Sequence, residues 1–284
     1  HFTFNPTRKK RTLPANADQY NQTLTALANS AAEAASECKV TYVPLQQPLL
    51  ELMKKAKQKY GDDYAVVGDD GFHPQQNGGL LIAELLLKAM GCRGSIATVT
   101  LDMSTGKATA SADHRIVSSS PNSLEVESKR YPFCFIGEPG AVGRNGALLE
   151  FSAFNKDLNR FLLVVTNPPA DHLKVTWGEA SRIFSSQELK AGLNLAEAFP
   201  VSNPFAKPFY KLYWDLRKQN EEANFQAMKR LWGITAKLEN LASDSTERSS
   251  LEAEAAPLTQ KISSLDPTAV PPVTHRISIE PATP

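Results

Sequence analysis

The chain has 284 residues, 42% of them hydrophobic and 21% charged, which is enough for one large domain or two smaller ones. Its 31 basic and 30 acidic side chains leave a formal charge of +1, so a nucleic-acid role has no electrostatic footing. No apolar stretch reaches the roughly 18 residues of a membrane span; the longest, Leu80 to Leu87, is interrupted by Glu84 and reads as a buried helix.

The sequence opens at His1 without a signal-peptide pattern, as a processed chain or a fragment would. The run Arg8-Lys9-Lys10-Arg11 is short and reads as a solvated turn. Helical spacing of Tyr20, Leu24, Leu27, Ala28 and Ala31 predicts a helix over 18–37, with Asp18 as its cap. Lys39 to Val43 reads as a short strand, and Gln46 to Tyr60 as a second helix with Leu49, Leu50, Met53 and Ala56 on one face. A loop rich in Gly and Asp leads to a third, mostly apolar helix over Gln75 to Met90. This alternation is that of the last part of an α/β sandwich.

After Gly91 the texture changes. Ala97, Val99 and Leu101 alternate with Thr98 and Thr100 as in a half-buried strand, and a turn at 104–107 leads into a partner over Ala108 to Val117. Leu124 to Glu127, Phe133 to Ile136, Leu148 to Phe154, Phe161 to Thr166 and Leu173 to Trp177 are further strand candidates, spaced as in a small antiparallel β-unit. Helix returns from Ser186, as its cap, to Phe199. A long helix follows over about 210–241, then a polar helix-compatible stretch to Leu265. From Asp266 the chain is Pro-rich and reads as extended or mobile. The expected divisions are 1–92, 93–180, 181–265 and 266–284.

Cys38, Cys92 and Cys134 fit neither a disulfide framework nor a metal pattern; three buried free thiols, or one bridge and one thiol, are both open. His114 beside Asp113 reads as a surface pair, and His172 and His275 as exposed. Trp177, Trp214 and Trp232 read as packing residues rather than a sugar platform. The run 137–143 lacks the Lys-Ser/Thr that grips phosphate and reads as a plain loop.

The chemistry concentrates in Asp70-Gly71-Phe72-His73-Pro74. Pro at the first helical position is a start signal, so the motif stands where a loop opens the third helix. A carboxylate three residues from an imidazole can accept the Nδ1 proton, fix the tautomer and leave Nε2 free as a base. A chance Asp-x-x-His-Pro in a chain of this length is roughly a one-in-fifty event from average composition. The bland alternative is a helix start capped by Asp70, with His73 incidental.

Residues 18 to 92 resemble the C-terminal part of the SGNH, or GDSL-type, serine hydrolases, whose last signature block is Asp-x-x-His, often followed by Pro and a helix. Residues 91–241 are similar, more weakly, to the β-insert and C-terminal helices of larger bacterial members, through the Ser185 to Ala196 stretch and Asn203-Pro204-Phe205. The resemblance implies an incomplete flavodoxin-like α/β/α sandwich followed by a small antiparallel β-unit and C-terminal helices. It implies ester hydrolysis through an acyl-serine, with His73 as general base, Asp70 orienting it, and no cofactor or metal. The implied partners are an ester substrate, acetylated carbohydrates among them, but no nucleic acid and no membrane span. A secreted or periplasmic location rests on family resemblance alone.

The departures are as informative. The family's Gly-Asp-Ser block and its oxyanion Gly and Asn blocks do not occur here. Gly61-Asp62 and Gly68-Asp69 are not followed by Ser, and Ser243-Asp244-Ser245 lacks the Gly and lies in a polar helical stretch. The chain is expected to begin just after the fourth strand of such a fold, with His1 to Phe4 its last residues. The nucleophile is then expected from a missing N-terminal segment or a second polypeptide, and the chain alone to be inactive. The alternative is a catalytically inactive structural or binding protein that retains an esterase-like half.

Overall fold

The computed structural model describes residues 17–66, 73–263 and 270–283. The chain forms two compact units, one of residues 1–206 with 273–284 and the other of residues 207–272. The expected basic turn at 8–11 and strand remnant at 1–4 lie outside the described residues.

The first unit begins with three helices, α1 (Ala17–Glu37), α2 (Gln46–Tyr60) and α3 (Gln76–Ala89), close to their expected ranges. Asp18 falls within the first turn of α1 rather than ahead of it. In α2, Leu49, Leu52, Met53 and Ala56 recur at three- and four-residue steps and so share one face. That face buries against Tyr64, Val66, Leu81, Ala147 and Leu148. Lys57 and Lys59 in the last turn of α2 complement the negative end of its dipole. The expected strand at Lys39 to Val43 does not form: among the described residues no neighbour supplies it with a ladder, and Val40 and Tyr42 are exposed. Its β-branched residues and Tyr suit a strand, but pairing decides whether one exists.

A two-sheet sandwich follows. Its strands are β1 (Ser95–Asp102), β2 (Ala108–Ala110), β3 (His114–Ser120), β4 (Ser123–Ser128), β5 (Arg160–Thr166), β6 (His172–Trp177), β7 (Ala180–Ser185), β8 (Leu193–Asn194) and β9 (Val273–Pro281). One sheet runs β2-β1-β5-β8 and the other β3-β4-β9-β6-β7. Every pairing is antiparallel except β1 with β5. Strict alternation buries Ala97, Val99 and Leu101 on β1, Phe161, Leu163 and Val165 on β5, and Leu173, Val175 and Trp177 on β6. The inner faces meet where Phe161 packs on Trp177 and His275, with ring centroids 5.4 and 5.7 Å apart.

Three expectations fail here for physical reasons. Phe133 to Ile136 is not a strand, because side-chain amides take the place of a ladder. Asn159 accepts from the Phe133 N–H and donates to its carbonyl, while Asn145 Oδ1 accepts from the Ile136 N–H. Leu148 to Phe154 is instead the end of a 3-10 helix (Asn145–Phe151) and the start of α4 (Phe154–Leu158). The helix expected from Ser186 to Phe199 is split into α5 (Ser186–Ala191), β8 and α6 (Leu195–Ala198). Ser185, not Ser186, caps α5, in a reciprocal box with Glu188. Gly192, at φ 104°, ends it.

The largest correction is the tail. Residues 273–281 are neither mobile nor peripheral: β9 is the central strand of its sheet, paired with β4 on one side and β6 on the other. His275, Ile277 and Ile279 point inward with the alternation of any core strand.

The second unit comprises most of α7 (Ala206–Leu238) and all of α8 (Thr246–Ser263). Arg230 pairs with Glu254 at 2.6 Å, and Arg248 donates to the carbonyls of Leu238 and Leu241, satisfying acceptors at the end of α7. Trp177 is buried as expected, whereas Trp214 and Trp232 are 56% and 64% exposed. No described helix is long and apolar enough to cross a membrane.

Candidate active site

His73 sits on an exposed bend directly before α3, followed by Pro74. Asp70, and with it the expected Asp70–His73 hydrogen bond, lies outside the described residues. The N-cap position of α3 is occupied by Gln75, which makes no side-chain cap.

The chain on either side of residues 67–72 is clamped. Asn77 is buried; its Nδ2 donates to the Ala65 carbonyl at 2.9 Å and its Oδ1 accepts from the Gly78 N–H at 2.9 Å. Gly78 is required by the same approach, since a Cβ there would lie 2.8 Å from the Val66 carbonyl oxygen. Residues 65–66 and 77–78 are thus fixed to each other. Neither clamp residue was singled out from sequence. The signal available was Asn77-Gly78-Gly79 inside an apolar helical run, where an isolated Gly costs stability unless packing demands it.

The run 137–143, a plain loop by its sequence, walls this corner. Gly140 lies against the Tyr60 ring and Gly143 against the Gln75 side chain, both at positive φ and with no room for a Cβ. The Tyr64 hydroxyl donates to the Ala141 carbonyl at 3.4 Å. Behind it, Glu150 accepts from both Lys59 and the Tyr60 hydroxyl. Burial raises the Glu150 carboxyl, but those two donors outweigh it and hold it below the ordinary carboxylate range. Burial and the same carboxylate push the Tyr60 hydroxyl up to about 12. On the far side of α3, the buried Glu84 accepts from Ser152 at 2.5 Å and from Lys88 at 2.7 Å, and Lys88 also reaches Asp157. These bonds tie α3 to the start of α4.

The other histidines serve elsewhere. His114 is not a surface pair with Asp113, and His275 is not exposed but 4% accessible; His172, expected to be exposed, is half-buried at the start of β6. Trp177 Nε1 donates to His275 Nδ1 at 3.1 Å, so the His275 proton sits on Nε2 and goes to Ser128 Oγ at 3.0 Å. Ser128 Oγ lies 2.9 Å from His114 Nδ1, and His114 Nε2 lies 3.0 Å from the Ile96 carbonyl. A carbonyl only accepts, so His114 carries its proton on Nε2 and takes the Ser128 hydroxyl proton on Nδ1. Ser128 is a serine beside a histidine, but it is fully buried in the sandwich and no substrate reaches it. The three cysteines are free thiols, with Cys134 buried and Cys38 and Cys92, contrary to expectation, exposed. Among the described residues no group of three or more His, Cys, Asp and Glu side chains gathers as a metal site would require.

Residues 4–86 match the model of the GDSL-like lipase/acylhydrolase family. This match supports an assignment to the GDSL-like lipase/acylhydrolases for that segment, which is less than half of the chain. The segment ends within α3, so it contains Asp70, His73 and the Asn77–Gly78 clamp. The whole chain is also similar in fold to a solved structure, a gut microbial diltiazem-metabolizing enzyme. The TM-score is 0.61 and the identity 18%, over 99% of this chain and 70% of that one. A search of curated proteins gave no match. The α/β fold class stands, and the family match supports ester hydrolysis at a general level.

Proposed function

We propose that this protein is a GDSL-like acylhydrolase that cleaves a carboxylic ester, with His73 as general base and Asp70 as the carboxylate that orients it. His73 takes the proton of an attacking serine and returns it to the leaving alcohol. The observation that carries the reading is the placement of His73, exposed on a bend whose flanks are clamped by Asn77 and Gly78 at the mouth of α3. A base held on a fixed element keeps the geometry that proton transfer needs.

The nucleophile comes, in this proposal, from polypeptide outside these 284 residues, as an N-terminal segment or a second chain. Two observations support it: no Gly-Asp-Ser block occurs in the sequence, and Val40 and Tyr42 lie exposed beside the α/β helices. Acetylated carbohydrate is the substrate class we favour.

The test is a set of progress curves with p-nitrophenyl acetate. The chain alone turns over no faster than its His73→Ala variant, because a base without nucleophile and oxyanion donors loses most of the advantage of a unit that acts together. Adding the Gly-Asp-Ser segment of a family member, in cis or in trans, restores turnover. That turnover vanishes in His73→Ala and falls strongly in Asp70→Asn, which disturbs the tautomer while keeping the shape. His73-dependent turnover by the chain alone would place a nucleophile within these residues. A correctly folded complete assembly without turnover would favour the structural role instead.

A further inference from the structure

Between the 3-10 helix, α4, β7 and the turn after α6 lies a cleft of about 610 Å³, within the size range of small-molecule sites. One lining residue, Asn155, is only 7% accessible. Its amide has a single orientation. Asn159 accepts from the Phe133 N–H with Oδ1 and donates to the Phe133 carbonyl with Nδ2, which fixes the Asn159 amide. Asn159 Nδ2 also donates to Asn155 at 2.9 Å, so the Asn155 atom there is Oδ1. Asn155 Nδ2 keeps two N–H donors, and among the described residues it makes no hydrogen bond. Buried amides in native structures are satisfied, so an acceptor from outside the protein, a water or a ligand that displaces it, belongs at this position.

The rest of the lining says what kind of acceptor. Lys156 and Arg182 contribute two cations, Glu138 and Glu197 two carboxylates, and among the described residues none of the four is in an ion pair. Glu150 also lines the cleft but is already held by Lys59 and Tyr60. Formal charge across the free groups therefore cancels, which disfavours a net anion or cation. These polar groups share the lining with the apolar side chains of Leu149 and Val201. Hydroxyl groups, each donor and acceptor at once, on a carbon skeleton with apolar C–H faces match that lining.

We infer that this cleft binds a neutral polyhydroxylated ligand, a sugar residue, with the Asn155 amide as its buried anchor. The site is distinct from His73 and does not rest on the ester-hydrolysis reading. The loop bearing Glu138 runs on through Gly140 to Gly143, which lies against the Gln75 side chain at the start of α3, so the cleft and the His73 corner share one wall.

The test is titration of the full 15N-labelled chain with methyl β-glucoside, methyl β-galactoside and N-acetylglucosamine, following the Asn155 side-chain amide signals. At least one sugar shifts these signals saturably at millimolar concentration. Asn155→Asp keeps the acceptor for Asn159 but replaces both donors, and it weakens the affinity at least tenfold by backbone signals of the cleft. Arg182→Ala, at an exposed position on β7, weakens it several-fold. Acetate and glycine, tested in parallel as an anion and a zwitterion, do not compete. The inference is overturned if none of the sugars shifts the Asn155 signals, if binding is unchanged in both variants, or if acetate or glycine binds where the sugars do not.

Discussion

At the scale of single residues, His275 and His114 have one tautomer each that completes the hydrogen-bonded chain from Trp177 to the Ile96 carbonyl. Both are therefore neutral in the fold, and burial holds both below the usual histidine range, His275 down to about 3 with the neighbouring His114 adding to the effect. For His114 the Ile96 carbonyl and Asp113 push back up, while Arg130 pushes down. The sign of the linkage follows. Unfolded histidine takes up a proton near pH 6.5 and folded His275 does not, so stability is full above that point and is lost as pH falls towards about 3, by at most about 1.4 kcal/mol per pH unit per group. Urea midpoints measured from about pH 7.5 down to about pH 5 should fall, and the slope should flatten in His275→Gln. An unchanged slope in that variant would mean that His275 is not the group that titrates. Ser128→Ala leaves the His275 Nε2–H without its acceptor and should cost about 1–3 kcal/mol even at neutral pH. Gly78→Ala drives a methyl group into the Val66 carbonyl, so it should lower the melting temperature; Gly79→Ala, with open space at its Cβ position, is the matched control.

At the scale of elements, what was legible in the sequence depended on whether local pattern or distant pairing decides the outcome. β1, β5 and β6 show period-2 burial in their own residues and were found close to their observed bounds. β9 shows the same period at His275, Ile277 and Ile279, but Pro267, Pro271 and Pro272 precede it, and its partners β4 and β6 lie about a hundred or more residues away in sequence. Composition there argued for a tail; pairing made a core strand. Ile277→Ala, at a position with no accessible surface, should cost about 2–5 kcal/mol, and a chain ending at residue 272 should lose the cooperative melt of the sandwich. A truncated chain that melts as the full one does would mean that β9 is dispensable. At 133–136 and 145–151 the error had the opposite cause. These apolar runs resemble strands, yet Asn145 and Asn159 satisfy the backbone with side-chain amides, a long-range arrangement invisible to periodicity. The candidate site divides the same way: Asp70-x-x-His73-Pro74 is a contiguous motif and was legible, whereas the Asn77 clamp and the 137–143 wall depend on contacts across 12 and 77 residues and were not.

At the scale of the whole molecule, the two units stand in an insertion relationship in sequence. The first unit leaves off at Ala206 and resumes at Val273, and its central strand β9 is built from residues that follow the second unit. Such insertions are tolerated where the host's own core and ladders are complete without the guest. The sandwich meets that condition among the described residues: β9 pairs only with β4 and β6, and the buried faces of its neighbours are filled by Phe161, Trp177, Phe199 and Phe205, all in the first unit. Residues 207–272 should therefore be replaceable by a flexible Gly/Ser linker of about 16 residues, which spans roughly 20–24 Å on average. The shortened protein should keep a single cooperative melt and the pH slope attributed to His275, because that histidine's partners Trp177, Ser128 and His114 all remain. Lengthening the linker should change stability by only a few tenths of a kcal/mol, since closure entropy grows with the logarithm of loop length. A shortened protein that fails to fold with every linker tried would show that the helical unit is part of the sandwich's folding unit rather than a guest within it.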